Sequence, residues 1–263
     1  MSNQVAPKVR TNKKYGWVPD IPDKRDFKFC AIPSPDGKPL PPSIDLTPGF
    51  TPAYNQAELG SCTTNAIGGN YEYEEIKQGK PNVFMPSRLF IYFNERLMEG
   101  TVASDSGAMI RDGIKSVATQ GVCSEDMWPY EITAFTNKPS DECYTAALNN
   151  KVVQYLRVNR NIHDMKSCLA DGYPFVFGFS VYQSFESGEV AQTGLMPMPL
   201  PNETLLGGHA VCAVGYDDAT ERIKVRNSWG TEWGVNGYFF MPYKYITDND
   251  LADDFWTIRL IQQ

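Results

Sequence analysis

Two short stretches hold the residues whose types and spacing could do covalent chemistry. In ELGSCTTNA, Cys62 follows Gly60 and Ser61 and stands where an apolar helical pattern begins. A helix start presents unpaired N–H groups and positive partial charge, both of which favour thiolate over thiol. A free thiol of pKa about 8.5 is only a few per cent ionised at neutral pH, so a nucleophilic cysteine needs this placement together with a cationic neighbour. In GGHAVCAVGYDDATERIKVRNSWGTEWGVNGYFF, residues 207–240, His209 opens an apolar strand that turns back at residues 217–220. Folding that hairpin about residue 218 brings His209 level with Asn227, to within one residue of register. An amide oxygen that accepts from one imidazole nitrogen fixes the ring and leaves the other nitrogen to exchange a proton with a nucleophile. Taken singly, each residue also fits a bland role: cysteine is commonly a small buried hydrophobe, and backbone groups can satisfy a histidine beside an apolar strand. The chain has only two histidines, and the other, His163 in NIHDMKS, stands at a helix start without comparable neighbours and reads as a surface residue.

Positioning these residues takes two kinds of element. From about residue 62 to 150 the apolar spacing is mostly helical. Ala66, Gly69, Tyr73 and Ile76 share one stripe, Leu89, Phe90, Phe93 and Leu97 a second, and Ile110, Ile114, Val117 and Ala118 a third, closed by Gly79, Gly100 and Gly121. Beyond residue 150 the pattern becomes short apolar or alternating runs at 152–158, 174–181, 209–216, 222–228, 237–241 and 255–261, which predict strands. Helices and strands segregated in this way predict an α+β fold with two lobes meeting in a cleft, rather than an alternating doubly wound sheet. The division is an N-terminal arm over residues 1–43 and a domain over 44–263, with a helical lobe at about 44–150 and a β-rich lobe at about 151–263.

Composition excludes several function classes. With 263 residues, 42% hydrophobic and 21% charged, the chain is ordinary globular protein, large enough for a core without metal or disulfide staples. A net charge of -7 has the wrong sign for a phosphate-binding surface, so nucleic acid is excluded as a partner. No apolar run reaches the 18 or so residues of a membrane span, and MSNQVAPKVRTNKKYG has no hydrophobic block behind its basic residues. Neither a membrane nor export is therefore expected, and the location defaults to the cytoplasm. The six cysteines contain no CxxC pair, which predicts no metal site and mostly plain thiols: Cys168 and Cys212 in the core, with Cys123 and Cys143 left open as a pair.

The motifs NQAELGSC, GGHAVCAVGYD and RNSWGTEWGVNGYF, in that chain order, resemble the papain-like cysteine peptidases. GSCTTNA, PSRLFIYFNER, SGAMIRDGIK and GVCSEDMWPYE are similar to the bacterial and viral branch of that family, the xylellain-like one. The resemblance implies a papain-like two-lobed fold and a cysteine endopeptidase working through a thioester, with no cofactor and no metal. It implies that Cys62 is the nucleophile, His209 its imidazolium partner and Asn227 the residue orienting His209, while Gln56 and the Cys62 N–H form the oxyanion hole. Gly107 and Ala108 would pair with the substrate backbone, and Met109 and Ile110 would face the second residue on the acyl side, preferring a hydrophobic side chain there. Gly208 and Trp229 would also line the substrate path, with the Trp229 indole shielding the His209–Asn227 bond. The sequence departs from the commoner family pattern in having Thr63 after the nucleophile where Trp is usual, and Leu59 where a further Cys is usual. Two rival readings are a transpeptidase or other acyl-transferase with the same nucleophile, and a non-catalytic homologue that only binds peptides.

The arm reads as more than a tail. Eight of the 19 prolines fall in residues 1–42, and residues 1–28 carry a balance of +4, leaving -11 on the rest. Proline-rich extended chain with Tyr15, Trp17, Val18, Ile21, Phe27 and Phe29 interleaved predicts docking on the body. Members of the family commonly carry an N-terminal pro-segment in the cleft, so residues 1 to about 28 are expected to lie in or near it as in a zymogen, with charge attraction setting the association and aromatic burial the affinity.

Overall fold

In the computed structural model, residues 14–31 and 39–262 are described; residues 1–13, 32–38 and 263, including the arm's Lys8, Arg10 and Lys13, lie outside the described part. The elements follow in the order β1 (Ser43–Asp45), α1 (Cys62–Lys77), α2 (Arg88–Glu99), α3 (Ile110–Gln120), α4 (Asp141–Ala147), β2 (Val152–Arg157), α5 (Ile162–Ala170), β3 (Phe175–Tyr182), α6 (Gly188–Thr193), β4 (Leu205–Asp217), β5 (Arg222–Arg226), β6 (Tyr238–Pro242), α7 (Tyr243–Ile246) and β7 (Ala252–Ile261). Every strand run of the sequence forms its strand, and the long helices fill the first half. This is an α+β fold.

The strands make one antiparallel sheet in the order β2-β7-β3-β4-β5-β6, with β1 added to β4. Its two faces serve two cores. Phe175, Phe177, Phe179, Val211, Ala213 and Phe239 pack within the β-rich lobe, whereas Val176, Ala210, Cys212, Trp256 and Ile258 face the helices. That alternation is the period-2 consequence of the pleat.

Local chemistry sets the helix ends. The Ser87 hydroxyl accepts from Phe90 N at 3.1 Å to start α2, and Gly100 closes it in the left-handed region at φ 72°. The predicted stripe on α1 is corrected: every residue from Cys62 to Glu75 is buried and Ile76, assigned to that stripe, is 40% exposed. The helix is wedged between α2 and α3 on one side and β4 and β7 on the other, so it has no solvent face until its last turn.

Candidate active site

Cys62 is the first residue of α1, and its sulfur is approached by the backbone N–H groups of Thr63 and Ala210. The first of these belongs to the opening turn of the helix, whose N–H groups have no partner within the helix. The second belongs to β4, one residue beyond His209. The nucleophile candidate therefore sits at the seam between helices and sheet, which is what a cysteine at the start of a fully buried helix must do.

His209 is fully buried on β4, and its Nε2 lies 2.8 Å from Asn227 Oδ1. The hairpin register differs from the expected one. Asp217 pairs with Arg222, and a bulge between Ala213 and Gly215 shifts the ladder so that Cys212 pairs with Arg226. Carried on, that register puts Asn227 two residues from His209 rather than within one. The bond still forms because residues two apart share a face and lie within diagonal reach, and because β5 ends at Arg226, freeing Asn227 to turn in. Trp229 stacks on the imidazole with centroids 5.0 Å apart and planes 26° apart. Asn227 Oδ1 also accepts from Ser228 N at 2.8 Å, which fixes the amide with its oxygen toward the ring.

Gln56 is buried beside them. Its side-chain Nε2 donates to Leu59 O at 2.9 Å, its Oε1 accepts from the Ser228 hydroxyl at 2.7 Å, and its backbone N–H donates to Ser228 O at 2.9 Å. Tyr130 donates to Gln56 O at 2.8 Å, and Arg88 lies over the Tyr130 ring at 3.8 Å. Sequence reasoning missed Ser228 and Tyr130, the first although it adjoins Asn227, the second because it reaches the site from 74 residues away. Behind Cys62, the Thr63 hydroxyl donates to the fully buried Glu95 at 2.7 Å, and burial pushes the Glu95 carboxyl well above the usual range. Thr63, which follows the nucleophile candidate, is thus tied to a buried acid.

The arm runs through this site. Ala108 N donates to Gly16 O at 2.8 Å, Val18 N to Ala108 O at 3.0 Å and Trp17 N to Gly208 O at 2.9 Å. The Gly16 N–H approaches the Cys62 sulfur. Tyr15 packs edge-on to His209 with centroids 6.0 Å apart, and its hydroxyl donates to Glu186. Lys14 meets Asp105 at 2.7 Å, and the same Asp105 holds Gly60 N at 2.9 Å. With the arm in place Cys62 is wholly buried, and this desolvation, only partly offset by the three N–H groups, pushes its thiol up to about 11. The covered site thus opposes the ionisation that the helix start favours.

Of the expected substrate-path residues, Gly107, Ala108, Gly208 and Trp229 gather here. Gly107 needs its φ of +74°, and a Cβ there would lie 2.1 Å from Gly16 O. The Met109 backbone N–H donates to Glu99 at 2.7 Å, and Ile110 is buried in the helical-lobe core against which Trp17 packs. The close walls of the Trp17 indole are Gly178 and Gly208, where added Cβ atoms would fall 2.0 and 2.7 Å from it, and Asp254, which accepts from Trp17 Nε1 at 3.1 Å. The glycine in FVFGF is a signal that could have found this wall, since glycine inside a strand marks close approach. Asp254 carried none. Two arm expectations are corrected: the Phe27 and Ile21 side chains are 79% and 70% exposed and are not apolar anchors, although their carbonyls accept from Arg157 N and the Arg111 guanidinium, while Phe29 is buried. Apart from Lys14, the described ion pairs between arm and body join arm carboxylates to body arginines, the reverse of the expected sense. The reason is local: Asp20 and Asp26 fall beside Arg111 and Arg157, whatever the overall balance.

Cys168 and Cys212 are buried core thiols, His163 is exposed on α5, and Cys123 and Cys143 are both buried and unbonded to each other. Among the described residues no cluster of His, Cys, Asp or Glu could hold a metal ion, and no helix is long and apolar enough to cross a membrane.

Residues 40–254 match the family described as papain family cysteine protease. An uncharacterized peptidase C1-like protein of Acanthamoeba polyphaga mimivirus is 44% identical over 271 aligned positions, covering 94% of this chain and 87% of that protein. Xylellain, a cysteine protease from Xylella fastidiosa, is similar in structure with a TM-score of 0.90 and 48% identity over 95% of this chain and 97% of its own. A Carica candamarcensis cysteine protease in complex with E-64 gives a TM-score of 0.58 at 25% identity over 77% of this chain and 89% of its own.

Proposed function

The chain belongs to the papain family of cysteine proteases, and from that premise we propose that it is an endopeptidase whose nucleophile is Cys62 and whose cleft is restrained by its own N-terminal arm. The observation that carries the assignment is the 2.8 Å bond from His209 Nε2 to Asn227 Oδ1 beside the helix start that bears Cys62. With Nε2 held by the amide, the ring's Nδ1 is the atom that exchanges a proton with the sulfur. Once the arm leaves, water and the cationic imidazole replace the desolvated surroundings, and the thiolate becomes accessible.

In the reaction, the Cys62 sulfur bonds to the scissile carbonyl carbon and the carbonyl electron pair moves to oxygen. Gln56 Nε2 and the Cys62 N–H stabilise that oxyanion. Collapse breaks the C–N bond as His209 gives its proton to the leaving amine, leaving a thioester. His209 then takes a proton from water, whose oxygen attacks the thioester, and the acid departs as the thiolate is restored. Trp229 and Asn227 hold the imidazole through both halves.

Gly107, Ala108 and Gly208, which hydrogen-bond or crowd the arm, would meet a substrate backbone in the same way. The space now filled by the Trp17 indole, between Gly178 and Gly208, favours a large apolar side chain at the second acyl-side position, and a donor at its tip gains Asp254. The arm reading rests on Gly16, whose backbone lies against the Cys62 sulfur.

Exposure to a peptidyl epoxide followed by peptide mass spectrometry tests this function. A single adduct on Cys62, slowed by the arm, is the expected result. Labelling elsewhere, or hydrolysis that survives full labelling of Cys62, would remove the assignment. Adding an amine acceptor during turnover separates hydrolysis from acyl transfer: acid products in excess over amide support the peptidase.

A further inference from the structure

Three separate segments meet at one carboxylate on the helical-lobe side of the cleft. Asp105 lies in the loop between α2 and α3, two residues before Gly107. Its Oδ1 accepts from Gly60 N at 2.9 Å and from the Tyr92 hydroxyl at 2.5 Å, and that hydroxyl in turn accepts from Gly107 N at 3.3 Å. Oδ1 thus ties the loop that leads into Cys62 to the segment that meets the arm. Oδ2 accepts from Lys14 Nζ at 2.7 Å. The two oxygens divide the work: one faces the protein and the other the arm.

The loop that presents this carboxylate is held from behind. Arg96, wholly buried on α2, donates to Tyr92 O at 3.0 Å, Val102 O at 2.8 Å and Ser104 O at 3.1 Å, and its guanidinium lies over the Tyr92 ring at 3.9 Å. Its hydrogen bonds go to carbonyls, and the ammonium bonded to Oδ2 is that of Lys14. With Lys14 in place the Asp105 side chain is 9% exposed, against 57% for that of Lys14. When the arm leaves, Oδ2 opens to the cleft.

The wall from Asp105 to Ala108 gives the position this oxygen serves. Ala108 brackets Trp17, accepting from Val18 N and donating to Gly16 O, and Trp17 fills the space assigned above to the second acyl-side residue. Gly107 stands one step nearer the sulfur: a Cβ there would lie 2.1 Å from the oxygen of Gly16, the arm residue whose N–H approaches Cys62. Asp105 follows on the same wall, and a Cβ on Gly60 would lie 2.9 Å from its Oδ1. A substrate residue whose carbonyl carbon is attacked rests against Gly60 and Gly107 as Gly16 does, and a side chain as long as that of lysine then spans the distance to Oδ2.

We propose that Asp105 is a specificity-determining residue, whose Oδ2 takes the cationic end of a lysine or arginine at the first acyl-side position of the substrate, and that Lys14 of the arm holds the place of this cation. The inference rests on the peptidase reading and adds the side chain that the cleft selects beside the scissile bond. A charge-assisted bond to a largely buried carboxylate exceeds an open surface pair in strength, yet the wet end of the cation leaves it sensitive to salt.

The test compares two peptides that differ in one group: arginine or its neutral isostere citrulline at the first acyl-side position, each behind the same apolar second residue. Full-length wild type should cut the arginine peptide about three- to ten-fold faster by kcat/KM. The ratio should fall toward one in about 1 M salt, where the Debye length is about 3 Å, and that readout needs no variant. Asp105→Asn keeps an oxygen for Gly60 N and Tyr92 while an amide replaces Oδ2, and its ratio should be about one. Losing the Lys14 pair also loosens the arm, but this raises both rates alike and cancels in the ratio. Equal rates on the two peptides in wild type, a preference that persists in Asp105→Asn, or a preference seen only with arginine moved to the first leaving-side position would overturn the assignment while the peptidase stands. If neither peptide is cut by wild type or by full-length Trp17→Ala, which removes the arm's indole anchor, the peptidase reading fails and the subsite falls with it.

Discussion

Gly16→Ala should unseat the arm with a single methyl group. A Cβ at Gly16 would lie 1.7 Å from Gly60 O and 2.5 Å from Gly60 C, both backbone atoms of the loop that leads into Cys62. Ordinary contact needs roughly twice that separation, so one backbone must move by more than an ångström. Neither is free to do so: Gly16 O is held by Ala108 N and Trp17 N by Gly208 O, while Gly60 N is held by Asp105. Overpacking of this kind costs about 1–3 kcal/mol, and giving up the two backbone bonds adds about 1 kcal/mol each. The closed arm thus loses about 3–5 kcal/mol. That corresponds to at least a hundred-fold shift toward the open form, or to full opening if the closed form is held by less than this. The assay is the initial rate on a small fluorogenic peptide, with iodoacetamide alkylation of Cys62 as a substrate-independent check. Gly188→Ala, where an added Cβ meets nothing within 4 Å, is the control. An unchanged rate in a folded Gly16→Ala protein would refute the claim that this glycine seats the arm over the nucleophile.

Cys62→Ala should abolish hydrolysis, His209→Ala should be nearly as damaging, and Asn227→Ala milder, since a misoriented imidazole still samples the productive pose; an Asn227 variant worse than the His209 variant would reverse the roles. Because the docked thiol is pushed up to about 11 by burial under the arm, alkylation of wild-type Cys62 should be slow at pH 7 and keep rising into the alkaline range. In Gly16→Ala it should reach its plateau at lower pH, and coincident profiles would contradict the arm's effect on the thiol. Burial raises the Glu95 carboxyl and favours its uncharged form, so Glu95→Gln should alter thermal stability by less than about 1 kcal/mol, whereas Glu95→Ala leaves a cavity and an unpaired Thr63 hydroxyl and should cost about 2–4 kcal/mol. With the folded-state value raised by burial, the contribution of Glu95 to folding is fully present below its unfolded value and is lost as pH rises from there through the folded value, so thermal melts should show the Gln variant gaining on wild type as pH climbs above the ordinary carboxyl range.

Much of the chemistry was legible along the chain because it is local. The start of α1 at Cys62, the strand that opens at His209 and the turn that returns Asn227 to it are written in short-range pattern, and His209 and Asn227 are only 18 residues apart. Chain order then matched the papain-like family, and the strand runs from residue 152 onward became strands because alternation and turn residues act within a few residues. The register of that hairpin was another matter, since a bulge moves it and only the paired strand decides where the bulge falls.

What the tertiary structure decided is what several distant segments share. Asp20 meets Asp254 across 234 residues, Trp17 finds its wall at Gly178 and Gly208, and Tyr130 braces Gln56 from a loop with no periodicity to announce it. No window of sequence holds both partners of such contacts. Burial also reversed local tendencies: α1 lost its solvent face by being wedged between two layers, the arm's aspartates outweighed its net positive balance, and the helix start that favours a Cys62 thiolate was overruled by the complete burial of the thiol. The physical reason is common to all three. Desolvation and charge proximity act through space, and their magnitude depends on how completely water is excluded, which is a property of the packed fold rather than of any residue's neighbours in the chain.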